Sequence, residues 1–109
     1  MKGRAALAAA LALALACVTG AHAQDAAAGK TKAAACAMCH GPQGIAVAPD
    51  TPNLAGQPAS YLAEQLKAYR GGTRKHEIMS LMAKPLSDAD IANLAAWFSS
   101  VKVEAAAGK

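Results

Sequence analysis

One pentapeptide, Cys36-Ala37-Met38-Cys39-His40, limits more than any other feature what this chain can fold around. Two thiols three positions apart fall on the same side of one helical turn, and a histidine directly follows the second thiol. C-x-x-C-H is the attachment sequence for c-type haem, in which the thiols add to the two vinyl groups of the porphyrin. The motif therefore predicts a haem bound covalently to Cys36 and Cys39, with His40 beneath the iron as its proximal ligand.

Two other chemistries use a C-x-x-C pair, a redox disulfide and half of a zinc site. A thioredoxin-like disulfide is expected in a βαβ context, and the few Val and Ile residues of this chain never form an alternating run. Zinc requires further Cys or His ligands, and downstream of the N-terminal leader only His76 remains besides His40. The haem interpretation is favoured over both.

The first 23 residues have the pattern of an export signal. Lys2 and Arg4 form a positive start, residues 5–16 are uninterruptedly apolar, and an A-x-A cleavage motif ends at Ala23. The apolar run of 12 residues is shorter than a membrane-spanning helix, which needs about 20 residues. Cleavage after Ala23 would leave a single periplasmic domain over residues 24–109, and the short apolar run predicts no membrane span.

Cys17 lies inside this predicted signal, and a lipid-modified N-terminus at Cys17 is an alternative outcome. The preceding Ala14-Leu15-Ala16 resembles a bacterial lipobox poorly. Cleavage at the A-x-A motif is therefore favoured over acylation.

The composition of the exported domain argues for a cofactor in its core. Cleavage leaves 86 of the 109 residues and lowers the formal net charge from +4 to +2, because Lys2 and Arg4 are removed. This charge is too small to indicate nucleic-acid binding. The whole sequence is 54% hydrophobic but only 4% aromatic, so bulky side chains are few. A domain this small needs a further source of stability, which a buried haem offers.

The sequence predicts helices and no sheet. Helices are expected over residues 25–38, 59–70 and 77–82, the last of these being a short turn that ends before a Lys-Pro pair. Residues 41–57 carry several Gly and Pro turn signals. A loop of this length in a small domain is expected to wrap something.

The final helix is the best defined by its pattern. Ser87 is a candidate N-cap, and Asp90 three residues later completes a capping-box pattern. The spacing of apolar residues predicts a buried stripe that consists of Ile91, Leu94, Ala95 and Phe98.

The second axial position of the iron has several candidates. A haem electron carrier usually completes its iron with a methionine thioether, and the exported domain contains Met38, Met79 and Met82. Met38 lies inside the attachment motif, whereas Met79 and Met82 are one helical turn apart, so spacing alone does not choose between them. His76 is a competing ligand, and both later methionines are also suited to filling gaps in a core.

Four successive segments resemble a class I cytochrome c: C-A-M-C-H-G, T-P-N-L-A-G-Q, Y-L-A-E-Q-L-K-A-Y-R and E-I-M-S-L-M-A-K-P-L-S-D-A-D-I-A-N-L-A-A-W-F-S-S. The resemblance covers residues 29–101 and points to the cytochrome c553 and single-domain cytochrome c4-like branch. It implies an all-α fold, a small cytochrome c domain of three to four helices wrapped around one covalently attached haem c.

The resemblance also implies roles for particular residues. In the c4-like pattern the ligand methionine lies seven residues before the leucine that opens L-S-D, and because that leucine is Leu86 here, the pattern selects Met79. A proline carbonyl twelve residues after the proximal histidine holds its ring N–H, and Pro52 occupies that position. Gly29 matches the glycine at which the first and last helices cross, against Trp97, where the family more often has Tyr.

The apolar faces of the porphyrin need side chains to cover them. The expected set is Leu54, Tyr61, Leu62, Leu66, Ile78, Leu81 and Leu94. Sequence does not separate those that contact haem from those that only pack helices together. We expect Tyr61 and Leu66 to be among the residues that bind the cofactor.

With a histidine and a methionine on the iron, no axial position is open to a substrate. The expected function is outer-sphere one-electron transfer between respiratory or dehydrogenase partners, without enzymatic activity, by a monomer or weak oligomer. Two alternatives are a haem-bearing subunit of a periplasmic dehydrogenase and, less favoured, a haem enzyme with a displaceable sixth ligand.

Basic residues cluster in sequence around Met79: Lys67, Arg70, Arg74, Lys75 and Lys84. Glu77 is the only acidic residue between positions 67 and 84, so this segment carries +4. Such a cluster is either an ordinary solvated surface or a docking surface that steers redox partners with acidic surfaces towards the haem edge, and the second interpretation is preferred.

Overall fold

The computed structural model describes residues 24–105, and all regular structure in this range is helical. The elements are α1 (Ala26–Lys32), a 3₁₀ segment (Ala33–Cys36), α2 (Ala37–His40), α3 (Ala59–Gly71), α4 (Glu77–Ala83) and α5 (Asp88–Ser100). The predicted all-α fold is confirmed. α1, the 3₁₀ segment and α2 follow one another without a break, so the first helical region extends beyond residue 38 and contains the whole C-x-x-C-H motif.

Side-chain caps fix where the first and last helices begin. The Asp25 carboxylate accepts hydrogen bonds from the amides of Ala27 and Ala28, at 2.9 and 3.1 Å. Before α5, the Ser87 hydroxyl accepts from the Asp90 amide and the Asp90 carboxylate accepts from the Ser87 amide, each at 3.0 Å. These caps satisfy amides that have no partner inside their own helix. The predicted capping box is confirmed.

The core lies where α1 and α3 pack against α5. As predicted, α5 buries Ile91, Leu94, Ala95 and Phe98. One set of buried residues, here called the core cluster, consists of Ala33, Leu62, Leu94, Ala95 and Phe98. Because two of these five side chains are alanines, the core is thin, as the composition predicted.

The helices α1 and α5 cross closely at Gly29. A Cβ atom at Gly29 would lie 2.9 Å from Cβ of Trp97 and would clash with the Asn93 carbonyl group. The Asn93 side chain also accepts a hydrogen bond from the Asp25 amide at 3.0 Å, and the Lys30 ammonium lies 5.3 Å from the centroid of the Trp97 ring. The structure thus contains the contact between Gly29 and Trp97 that the resemblance implied, and it requires a residue without a side chain.

Residues 41–57 form the predicted long loop, which backbone hydrogen bonds close and attach to α5. The Gly44 carbonyl accepts from the Leu54 amide at 2.7 Å, and the Gly56 amide donates to the Phe98 carbonyl at 2.9 Å. Gly44 has a φ of +81° and adjoins the Phe98 ring, so a side chain there would be strained and would also clash. The loop is therefore an ordered part of the fold.

The predicted signal peptide, its cleavage site after Ala23 and Cys17 lie outside the described residues. The boundaries of the exported domain, residues 24–109, stay a prediction from the sequence. Within residues 24–105, no helix has the length and hydrophobicity needed to cross a membrane.

Replacing Gly29 by alanine tests the helix crossing. The added methyl group would meet the Asn93 backbone and force the helices apart, so we expect Gly29→Ala to lower the unfolding free energy of the holoprotein by about 1–3 kcal/mol. Gly71→Ala is the matched control, because nothing lies within 4 Å of a Cβ at Gly71; alanine there should be neutral or stabilising. Thermal unfolding followed by circular dichroism compares the two, and equal melting temperatures would contradict the close crossing.

The Asp90 carboxyl group should make stability depend on pH. The hydrogen bond from the Ser87 amide is the main cause that holds the pKa of Asp90 below its ordinary value, helped by the Ser87 hydroxyl and by the Lys32 ammonium 3.4 Å away. The unfolded chain therefore binds this proton more readily than the folded chain. The stabilisation is complete above about pH 4, the ordinary range of an aspartate, and is lost as the pH falls through the lower folded pKa.

We expect Asp90→Asn to lower the melting temperature near neutral pH, and the difference from the unchanged protein to shrink below about pH 4. Glu64→Gln, at an exposed position of α3, is the control and should leave the melting temperature at neutral pH nearly unchanged. A difference that stays constant from about pH 7 to about pH 3 would show that Asp90 does not act through its charge.

Candidate functional site

The two cysteines of the motif lie one helical turn apart, where the 3₁₀ segment leads into α2. Both are free thiols and half-buried. Burial raises the pKa of the Cys36 thiol, and the Lys32 ammonium opposes this rise only in part. The Cys36 side chain packs against the core cluster. The two thiols have the sequence spacing of the haem attachment motif.

The His40 ring is buried and oriented by one hydrogen bond. Only 7% of His40 is exposed, and its Nδ1 lies 2.9 Å from the carbonyl oxygen of Pro52. Because a carbonyl oxygen can only accept, Nδ1 donates, and in the neutral ring Nε2 keeps its lone pair. A histidine in this tautomer binds a metal through Nε2, with its orientation fixed by the second hydrogen bond. The structure thus contains the contact between His40 and Pro52 that the resemblance implied.

The loop after the motif folds back over it and brings Pro52 to His40. The Cys39 carbonyl accepts a hydrogen bond from the Val47 amide at 3.0 Å. Gly41 has a φ of +77°, in the left-handed region, and turns the chain sharply at the end of α2. The position of the proline carbonyl therefore depends on this turn and on the bonds that hold the loop against α2.

The two candidate methionine ligands lie on α4 and differ in exposure. Met79 is half-buried, whereas Met82 is 39% exposed and Met38, inside the motif, is 87% exposed. The Met79 amide donates a hydrogen bond to Nδ1 of His76 at 3.2 Å, at the start of the helix. Met79 is thus the least exposed of the three methionines in the described range, and its backbone is tied to His76.

The seven apolar residues expected to cover a porphyrin fall into two groups. One group belongs to the core cluster or packs against it: Leu54, Leu62, Leu66 and Leu94. The other group is exposed by 46%, 55% and 71%, respectively: Tyr61, Ile78 and Leu81. The first group holds the helices together whatever else it contacts. The second presents apolar surface that the protein's own side chains do not cover.

The residues of the site fit a covalently bound haem. They supply two free thiols one turn apart, a buried imidazole whose Nε2 keeps its lone pair, and a thioether on a separate helix. Imidazole and thioether are ligands that haem iron takes in electron carriers. A metal site of another kind would need several acidic, His or Cys side chains close together. Residues 24–105 contain no group of three or more such residues arranged to hold a metal ion.

The five basic residues of the segment around Met79 differ in the contacts that their side chains make. Arg70 bonds to the Asp88 carboxylate at 2.7 Å and so connects α3 to the start of α5. Arg74 donates to the Gln65 side chain at 2.7 Å and lies 4.7 Å over the centroid of the Tyr69 ring. The other three are exposed: Lys67, Lys75 and Lys84. Arg70 is thus engaged in the fold, whereas Arg74 and the three lysines carry the positive charge that faces solvent.

Sequence reasoning missed the role of His76 as the N-cap of α4. Its Nδ1 accepts hydrogen bonds from the amides of Ile78 and Met79, each at 3.2 Å. The Ser80 hydroxyl accepts in turn from the His76 amide at 3.0 Å. The available signal was a polar residue directly before a predicted helix, but imidazole is not among the preferred caps.

Comparison with known proteins agrees with this site. Residues 26–102 match the protein family described as cytochrome c. The chain belongs to the cytochrome c family. It is 52% identical over 79 residues to cytochrome c-554(548) of Halomonas halodenitrificans, an alignment that covers 70% of this chain and 95% of that relative.

Two longer proteins match over the same domain. The solved structure of reduced recombinant cytochrome c4 from Pseudomonas stutzeri matches with a TM-score of 0.69 and 44% identity, over 73% of this chain and 47% of that one. A thiosulfate dehydrogenase electron acceptor from Thiomonas intermedia is 46% identical over 77 residues, 70% of this chain and 36% of the relative. The chain thus spans half or less of these two proteins, but nearly all of cytochrome c-554(548).

Membership in the cytochrome c family confirms the predicted resemblance and the predicted cofactor. A domain of this family holds covalently bound haem c, and members of the family are electron carriers rather than enzymes. The chain has a single C-x-x-C-H motif, which fits one haem c for this one domain.

Proposed function

We propose that this chain is a periplasmic monohaem electron carrier whose iron is ligated by His40 and Met79. The hydrogen bond between Nδ1 of His40 and the Pro52 carbonyl carries this proposal, because it leaves Nε2 as a fixed, neutral ligand atom. Cys36 and Cys39 attach the haem, each S–H group adding its sulfur to one carbon of a vinyl group and its hydrogen to the neighbouring carbon.

Three further residues complete the haem site in this proposal. Pro52 orients the proximal imidazole through its carbonyl oxygen. Tyr61, which is 46% exposed on α3, and Leu66, which packs against the core cluster, provide apolar surface for the porphyrin. Burial of the porphyrin against such surface would stabilise a domain whose own core is thin.

Bound haem supplies a one-electron couple, and the ligands of the chain determine how it is used. His40 and Met79 would occupy both axial positions, so no position would be open to a substrate. A soft thioether favours Fe(II) and raises the reduction potential. The proposed activity is therefore outer-sphere electron transfer to and from redox partners.

Residues 1–23 support a periplasmic location. They have a positive start, an apolar stretch and an A-x-A motif that ends at Ala23. Cleavage there would release residues 24–109 into an oxidising compartment. In such a compartment Cys36 and Cys39 would close a disulfide unless another group claims them, and attachment to haem does so.

One relative favours a second function, the dedicated electron acceptor or haem-bearing subunit of a periplasmic dehydrogenase. The Thiomonas intermedia protein, 46% identical over 77 residues, is named for accepting electrons from thiosulfate dehydrogenase. Purification of the tagged holoprotein at low salt distinguishes the two functions. A free carrier elutes alone, as a monomer or weak oligomer, whereas a subunit elutes in a fixed ratio with dehydrogenase activity.

We further propose that the exposed lysines beside α4 dock redox partners with acidic surfaces. Lys75 and Lys84 line one surface depression together with Leu81, which is 71% exposed. Glu77 is the only acidic residue that lines this depression, so its net charge is positive. Opposite charge on a partner would speed encounter, and an exposed apolar side chain beside the lysines suits a small, short-lived interface.

The ligand assignment predicts different spectra for two methionine variants. Met79→Ala should abolish the weak red absorption band of ferric haem with a thioether ligand and should lower the reduction potential. Met82→Ala is the matched control on the same helix. Because Met82 is 39% exposed, it should keep the band and should cost less than about 2 kcal/mol of stability. The reverse result would identify Met82, and not Met79, as the iron ligand.

The docking surface predicts a rate that depends on salt. The bimolecular electron-transfer rate with an acidic redox partner should fall as ionic strength rises. Changing Lys75 and Lys84 to Gln should slow the rate at low salt several-fold and flatten its salt dependence. Lys102→Gln, at an exposed lysine beyond α5, is the control and should leave the rate nearly unchanged. A rate that rises with salt, or that the double change does not affect, would remove these lysines from the docking surface.

A further inference from the structure

We propose that His76 is a positioning residue for Met79. As the N-cap of α4, the His76 ring holds the methionine backbone where the thioether can reach the iron. This inference rests on the proposed ligation by His40 and Met79, and it adds a residue to that site which neither touches the haem nor binds the iron.

The helix α4 depends on its cap because little else fixes where it begins. With seven residues it is shorter than the 12–15 or so at which an isolated helix becomes even marginally stable. It packs mainly on α3, and Ala83, at its far end, is its buried residue. Near its start, Ile78 is 55% exposed. Contacts with the protein's own side chains therefore contribute little to the position of the first turn, where Met79 lies.

Hydrogen bonds around His76 define that first turn. Nδ1 accepts from the amides of Ile78 and Met79, each at 3.2 Å, and these amides have no partner inside the helix. The His76 amide donates to the Ser80 hydroxyl at 3.0 Å, and the Ser80 amide donates to the His76 carbonyl at 2.9 Å. One ring thus satisfies two amides, and one of them belongs to the proposed ligand itself.

The same geometry separates His76 from iron ligation. Because Nδ1 accepts from amide N–H groups, its lone pair is in use, and in the neutral ring the proton sits on Nε2. A ring nitrogen that carries a proton has no lone pair to give to iron. Capping and ligation are therefore alternative states of His76, and the capping state leaves the sixth position to Met79.

The test measures how easily added imidazole displaces the methionine from the ferric holoprotein, read from loss of the red thioether band. His76→Ala should raise the apparent affinity for imidazole by about 2- to 30-fold, the range that corresponds to loss of an N-cap. His76→Asn supplies a preferred cap with a side-chain acceptor and should return the affinity to within about 2-fold of the unchanged protein.

A cap on another helix provides the matched control. Ser87→Ala removes the N-cap of α5, which carries no proposed ligand, so it should lower the melting temperature but leave the imidazole affinity unchanged. An equal shift in His76→Ala and Ser87→Ala, or a failure of His76→Asn to restore the affinity, would show that His76 acts only on general stability and would overturn the inference.

Two further variants keep the outcome clear. If His76→Ala does not incorporate haem, Ser80→Ala, which removes the acceptor for the His76 amide, should raise the imidazole affinity by a smaller factor; no change would contradict the inference.

Met79→Ala separates the two proposals. If it keeps the thioether band, the ligand assignment fails and this inference with it. If it loses the band while His76→Ala behaves like Ser87→Ala, only the role of His76 fails.

Discussion

The crossing of α1 and α5 at Gly29 is the contact on which the haem site depends. Because α1 continues through the 3₁₀ segment into α2 without a break, the place where α1 meets α5 also sets the place of residues 36–40. The two helices α1 and α5 are held together on either side of the crossing. The Asp25 amide donates a hydrogen bond to the Asn93 side chain, and Lys32 forms an ion pair with Asp90. A shift along this interface would move both thiols and the proximal histidine together.

The same helix, α5, also anchors the loop that contacts His40 and the end of α3. The loop that carries Pro52 is tied to α5 by the bond from the Gly56 amide to the Phe98 carbonyl. The end of α3 is tied to the start of α5 by Arg70, which also donates to the Leu86 carbonyl at 3.1 Å. The bond between His40 and Pro52 therefore joins the first helical region to the loop of residues 41–57, and both of these are fixed to α5. α4 differs, because it packs mainly on α3 and depends on bonds within its own first turn.

Sequence could predict the features that short patterns determine. The capping box at Ser87 follows from residues three apart, and the role of Gly29 followed from its place in a resemblance to a known family. The sequence predicts a docking role for Arg70 because its charge is visible there, whereas its partner Asp88 lies 18 positions away and is brought near only by packing. In sequence, His76 is a candidate iron ligand, because residue type does not reveal which ring nitrogen faces the helix. Which of the expected haem-covering residues join the core cluster and which stay exposed likewise depends on how the helices pack.

The engagement of Arg70 in the fold changes what the basic segment contributes to recognition. With that guanidinium paired to Asp88, the exposed positive charges at the surface depression are those of Lys75 and Lys84. Lys75 directly precedes the cap of α4, and Lys84 directly follows the last residue of that helix. A partner that docks on both lysines therefore contacts the two ends of the helix that carries Met79. His40 is held instead by Pro52, on a loop that is bonded to α5, so contact with these lysines reaches Met79 more directly than His40.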